Sequence, residues 1–261
     1  MDQKVGKSYI PRLSSFINYT LLPFLILMLW IISTNNQWIT TTLLPTVPSV
    51  AEAFQSQFKS GQLQEDLIIS ISRVLRGFLL SSLLGVTLGV FMGMSDRVGK
   101  FFTLTFTSLR QIPMMAYIPL VILWAGIGER SKIVIIVVAS FFPILVNTMN
   151  GIKRTDQKLL EVGRMYKLSK WKLFIKVYFP SALPSVLIGL KLGLGISWMA
   201  VVGAEMIAAS SGIGFRINDA RSLMQTPVVF SGMISIAVAG VVMDFMLSII
   251  SKLATPWERR K

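Results

Sequence analysis

The sequence predicts an all-α, polytopic membrane protein with six transmembrane helices, and three observations carry that prediction. Hydrophobic residues make up 53% of the chain and charged residues only 15%, with a mean hydropathy of +0.65; a soluble domain carries about 25% charged residues. Six long apolar segments recur along 261 residues. Lysine and arginine gather in alternate connections between them.

The apolar segments run roughly over 17–33, 68–94, 101–124, 133–149, 182–208 and 228–253. A spanning helix needs about 20 apolar residues, so the first and fourth are short. Only helices satisfy the backbone across such runs. The first follows Lys4, Lys7 and Arg12, as a signal peptide would, but Thr34-Asn35-Asn36-Gln37-Trp38 offers no small-residue cleavage site. It therefore reads as a retained span. The connection after it opens on Leu44-Pro45-Thr46-Val47-Pro48, and Val50–Phe58 has the pattern of a short amphipathic helix. In the second segment Gly85, Gly89 and Gly93 recur every four residues, as do Gly189 and Gly193 in the fifth. This spacing lets helix backbones approach closely, within one subunit or between two. Pro113 and Pro119 in the third segment and Pro143 in the fourth are expected to kink their helices. Residues 151–181 form a basic loop with its own helical pattern: Leu159, Leu160, Gly163, Tyr166, then Trp171, Phe174 and Ile175.

With six spans both ends lie on one side. That side collects seventeen Lys and Arg, against five opposite and four within spans. The positive-inside rule then puts both termini in the cytoplasm. It also accounts for the net charge of +14 without any nucleic acid. The chain has no cysteine and no histidine. That excludes disulfides and thiolate metal sites, and removes the commonest metal ligand and general base. An intramembrane enzyme would have only carboxylates, and Glu205 and Asp244 fall at opposite ends of their spans.

The basic loop carries a motif: Glu161-Val162-Gly163, three residues, Lys167, nine residues, then Val177-Tyr178-Phe179-Pro180. It resembles the cytoplasmic signature of binding-protein-dependent ABC importer permeases: Glu-Ala-Ala, three residues, Gly, nine residues, Ile, any residue, Leu-Pro. Glu161 and Pro180 match, Val162 and Gly163 stand for the two Ala, Val177 for Ile and Phe179 for Leu; Lys167 departs from Gly. Further stretches resemble the nitrate, sulfonate, taurine and bicarbonate branch. They are Leu44-Pro45 with Pro48, Ser72-Arg73-Val74-Leu75 with Gly77-Phe78, and Ile112-Pro113 with Ala116 and Pro119-Leu120. They continue with Leu123 to Glu129, Phe141-Phe142-Pro143, and Ala204-Glu205-Met206 before Gly212-Ile213-Gly214.

The resemblance implies the type I importer permease fold in a bacterial cytoplasmic (inner) membrane. It implies a coupling helix between spans four and five, in which Glu161, Val162, Gly163, Lys167, Val177 and Pro180 meet a cytoplasmic ATPase. It implies a permease homodimer and an extracytoplasmic solute-binding protein. The chain has no Gly-x-x-x-x-Gly-Lys-Ser/Thr phosphate loop, so ATP and Mg are expected on the partner ATPase and no cofactor on this chain. Residues 1–66 are expected to form an N-terminal segment with the first span and outer loop, and 67–261 the core permease domain with coupling loop 151–181. The family's Gly would sit where the first loop helix stops in a left-handed turn; Lys167 either bears a cost of about 1 kcal/mol there or the turn differs in this chain, with Ser169 capping the next helix.

Charges within spans are functional candidates. Lys191, Trp198 and Glu205 are seven apart and share a helical stripe. Arg110, beside Gln111, shares a face with Pro113, Met114 and Tyr117. Arg110, Gln111, Tyr117, Lys191, Trp198 and Glu205 are thus candidates for a translocation pathway, with interhelical ion pairing the alternative for the charges. Arg73 and Arg76 read as interfacial side chains snorkelling to the headgroups. The resemblance implies a small anion as cargo: an alkanesulfonate, taurine, nitrate or bicarbonate. A self-sufficient secondary transporter or channel is the competing reading, but no pair of interrupted repeats supports such a carrier.

Overall fold

The computed structural model describes residues 12–257, with side chains from residue 21 onward. All regular structure among the described residues is helical. Helix α1 spans Arg12–Asn35, α2 Val47–Lys59, α3 Gln62–Met94, α4 Asp96–Leu109, α5 Met114–Ala125 and α6 Glu129–Lys153. Helices α7 (Gln157–Met165) and α8 (Lys170–Leu173) follow. A π-helical turn over Phe174–Tyr178 joins α8 to α9 (Phe179–Ala208). Helices α10 (Ile213–Ser222) and α11 (Thr226–Ala254) close the chain. Four helical stretches among the described residues are long and apolar enough to cross a membrane: α3, α6, Lys170–Ala208 and α11. The α4–α5 pair makes a fifth if it counts as one broken span, and Leu21–Asn35 of α1 is a shorter apolar stretch.

The third apolar segment departs from expectation. It is not one kinked helix but two, bent by 97° at a break over residues 110–113. Pro113 is extended (φ −57°, ψ 136°) and cannot donate to α4, so α4 ends and α5 restarts after it. Pro143, by contrast, sits inside α6, which remains helical through it.

Helix α6 is the centre of the body, with α3 on one side and α9 on the other. The glycine rows make both seams. A Cβ on Gly89 would fall 2.7 Å from the Thr148 Cβ and 2.8 Å from the Leu145 carbonyl oxygen. One on Gly189 would fall 2.8 Å from the Asn147 Cβ. Gly85, Gly93 and Gly193 meet Ile144 and Ile152 in the same way. These rows therefore pack within one subunit. Val74, Ile136, Ile144, Leu194 and Val201 are buried along the seams. The outer face of α3 (Leu79, Leu80, Leu83, Phe91) stays exposed and mainly apolar, as a lipid-facing surface should, with Arg76 and Thr87 the polar residues exposed along it. Helix α2, expected over 50–58, is capped by the Thr46 hydroxyl and reaches α11 through Gln57, whose Nε2 donates to Ser231 Oγ at 3.3 Å. Helix α1 touches the body through Trp30, whose Nε1–H donates to the Pro45 carbonyl at 2.8 Å.

Candidate translocation cleft and coupling segment

The segment between α6 and α9 is built by local backbone chemistry. The Asp156 carboxylate accepts from the Lys158 N–H at 2.9 Å and starts α7. Its end is a Schellman turn: the Lys167 N–H donates to Arg164 O at 2.8 Å and the Leu168 N–H to Gly163 O at 3.1 Å. That geometry requires a left-handed residue, and Lys167 supplies it with φ +50°. The sequence placed this turn correctly even though Lys replaces the favoured Gly. Ser169 Oγ then accepts from the Lys172 N–H at 3.3 Å and caps α8. Gly163 lets the two short helices close, because a Cβ there would lie 2.5 Å from Leu173 Cδ1.

Val162, Gly163, Val177 and Pro180 come together with Tyr166 and Trp257 around a groove of about 660 Å³. Glu161 and Lys167 are exposed beside it. Leu159, Met165, Tyr166 and Trp171 also stand exposed on this segment. An exposed apolar cluster rimmed by charge marks a contact surface, for protein or for membrane.

On another face, the break between α4 and α5 opens a cleft of about 420 Å³. Arg110, Gln111 and Tyr117 line it, facing Phe142 and Asn147 of α6 and Ile196 of α9. The Tyr117 hydroxyl donates to the Leu109 carbonyl at 2.9 Å and bridges the break. Arg110 has no ion-pair partner among the described residues. Lys191 does: its Nζ lies 3.2 Å from Asp244 Oδ2 and donates to Ser248 Oγ at 2.9 Å.

Trp198 and Glu205 do not share the cleft. Trp198 is buried and its indole N–H donates to the Ile236 carbonyl at 3.1 Å. Glu205 is enclosed at the far end of α9. Trp198 instead lines a small recess with Lys191, as their shared stripe predicted. Glu205 is drawn inward by Ser70 and Arg73 of α3.

Arg73 is also a correction. It is not a snorkelling side chain but is 3% exposed and holds two carboxylates. Its Nε donates to Glu129 Oε2 at 2.8 Å, and Nη1 donates to Glu205 Oε1 at 2.7 Å and to the Ser211 carbonyl at 2.8 Å. Ser70 Oγ donates to Glu205 and accepts from the Ile213 N–H at 3.0 Å, while the Gly214 N–H donates to Glu205 Oε2 at 3.0 Å. Asp66 accepts from the Gly212 N–H at 3.0 Å and from Arg216 Nε at 2.8 Å. Lys132 donates to Glu129 at 3.1 Å. Three cations thus balance three carboxylates, which is what makes burial tolerable. Gly212 has φ +105° and no room for a Cβ, which would fall 2.5 Å from Glu205 Oε1. The overlooked signal was the spacing of Asp66, Ser70 and Arg73, which puts three polar groups on one face of an apolar helix.

Residues 82–257 match the family model described as the binding-protein-dependent transport system inner membrane component. The chain belongs to that family. The permease is 39% identical over 237 residues to the aliphatic sulfonates transport permease protein SsuC of Bacillus subtilis, covering 91% of this chain and 86% of that one. It is 32% identical over 237 residues to the taurine transport system permease protein TauC of Escherichia coli, covering 89% and 86%. Its fold is that of a chain from the inward-facing MetNI methionine ABC transporter, with a TM-score of 0.63 at 16% identity, over 71% of the permease and 93% of that chain. The permease is therefore a membrane subunit of the ABC importer class, as the loop motif implied.

Proposed function

We propose that the permease carries a small solute bearing an anionic group, with an alkanesulfonate or taurine (a zwitterion whose sulfonate is that group) as the leading candidates, through a path lined by Arg110, Gln111 and Tyr117. The observation that carries this reading is Arg110: an arginine without a carboxylate partner among the described residues, in a cleft formed where a membrane-depth helix is broken. An unpaired cation there is costly unless water or an anionic ligand visits it. Backbone groups freed at a break are tolerated where they line a cavity. The names of the sulfonate and taurine relatives agree with an anionic cargo.

In this reading two copies enclose the path, each crossing the inner membrane six times with both termini in the cytoplasm. A separate ATPase holds ATP and Mg and meets α7. A solute-binding protein delivers cargo to the other side. The test is ATP-dependent uptake of ethanesulfonate, taurine and nitrate by proteoliposomes holding the full complex. Arg110→Gln should leave assembly intact and cut uptake at least about tenfold, the scale of one charge-assisted hydrogen bond. Normal anion uptake by the assembled variant would overturn the role of Arg110.

A further inference from the structure

The ion pair between α9 and α11 is in an unusual place. Lys191 lies twelve residues in from Phe179 and Asp244 ten residues in from Ala254. At 1.5 Å per residue these are about 18 and 15 Å from the helix ends, well within a hydrocarbon layer of about 30 Å. A pair that only joined helices at that depth would be enclosed by them. This one is not: the side chains of Lys191 and Asp244 are 45% and 55% exposed. An exposed pair facing acyl chains would lose its solvation on one side. In the assembled transporter this surface is therefore turned away from lipid, towards water or the second copy.

That surface adjoins the Arg110 cleft. The exposed edge of α9 runs through Ile188, Lys191, Leu192, Gly195 and Ile196. Ile196 lines the cleft. Gly195, its neighbour in the chain, lines a recess of about 40 Å³ with Lys191 and Asp244. The two polar clusters are thus flanks of one helix edge, while the exposed surface of α3 around Leu79, Leu80, Leu83 and Phe91 is mainly apolar, with Thr87 as a polar exception. Gly195 is open: a Cβ built there meets nothing within 4 Å.

We propose that Lys191, Asp244 and Ser248 form a second anion station on the pathway, at which the cargo anion displaces Asp244 from the Lys191 ammonium. The station rests on the anion-permease reading. Without cargo, Asp244 and Ser248 hold the ammonium and keep this surface neutral. An arriving anion takes the place of the carboxylate, which turns to water. When the anion leaves, the pair re-forms. The exchange keeps Lys191 from binding any anion too tightly to release, as conduction through a charged path requires.

The neutral double variant Lys191→Gln/Asp244→Asn separates this role from a structural one, because it keeps hydrogen bonding between the helices and removes both charges. In proteoliposomes with the ATPase and binding protein, it should assemble and lose at least about tenfold in uptake of whichever of ethanesulfonate, taurine and nitrate the wild-type complex carries. Uptake at the wild-type rate would show a merely structural pair and overturn the station. A second measurement does not depend on that variant folding. The chain has no cysteine, so Gly195→Cys gives a single thiol beside Lys191, with Leu83→Cys on the outer face of α3 as the lipid-facing control. N-ethylmaleimide, which needs an ionised thiol, should label Gly195→Cys and not Leu83→Cys. The carried anion should slow that labelling, and at about tenfold lower concentration when Asp244→Asn is added. Labelling of neither position, or labelling indifferent to the anion, would overturn the proposal. Failure of the wild-type complex to carry any anion would instead overturn the anion reading on which the station rests.

Discussion

Nη1 of Arg73 in α3 lies 2.7 Å from Oε1 of Glu205 in α9, with the two side chains 3% and 0% exposed. The same guanidinium holds Glu129 at the start of α6. One side chain thereby ties the three central helices together at one end of the bundle. It also fixes the chain leading into α10 through Ser211.

Arg73→Met should therefore be severe. It leaves Glu205 buried with no cation, and breaking such a pair costs about 3–5 kcal/mol. The expected result is a lower thermal midpoint of the detergent-solubilised permease and a reduced yield of complex. Arg73→Lys should recover little, because an ammonium cannot reach both carboxylates with a fixed fork of donors. An unchanged midpoint in Arg73→Met would refute this account of the helix ends.

Lys167→Gly should stabilise the permease. The residue sits at φ +50° in the turn between α7 and α8, where a Cβ costs about 1 kcal/mol. Lys167→Val should act the other way and by more, because a β-branched residue is a genuine outlier at positive φ. Denaturation midpoints of the two variants check the order. Glycine no better than lysine would mean that the turn relaxes when the side chain is removed.

The exposed apolar residues of the coupling segment predict a contact with the ATPase. Single cysteines at Met165 and Tyr166, which are 81% and 78% exposed, should cross-link to it in the assembled complex. Glu161→Lys should let ATP hydrolysis proceed without uptake while leaving the midpoint of the permease unchanged. The interface is ruled out if no cysteine placed between 157 and 176 yields an adduct.

The parts legible in the sequence were those set by local chemistry. The turn at Lys167 followed from motif spacing and the known geometry of helix ends, and the cap at Ser169 from the residue type. The glycine rows announced close approach, though only the folded chain shows α6 on the other side of both. At Pro113 the sequence announced a disturbance, but not its size, a 97° bend between two separate helices. Arg73 was misread because its partners Glu129 and Glu205 are 56 and 132 residues away. A short window cannot separate an arginine reaching for water from one held by distant carboxylates. Trp198 does share a recess with Lys191, whereas Glu205 left the expected stripe for Ser70 and Arg73, partners equally distant in sequence.

The glycine seams have a mechanical consequence. Helices α6 and α9 leave opposite ends of the coupling segment, and each is set against its neighbour at backbone distance, Cβ-less residues facing β-branched ones. Such a joint has no slack: sliding by a fraction of a turn would drive Ile144 or Thr148 into a main chain. On the coupling reading, a load applied at α7 is expected to tilt α3, α6 and α9 together as a stiff plate, riveted at the other rim by Arg73.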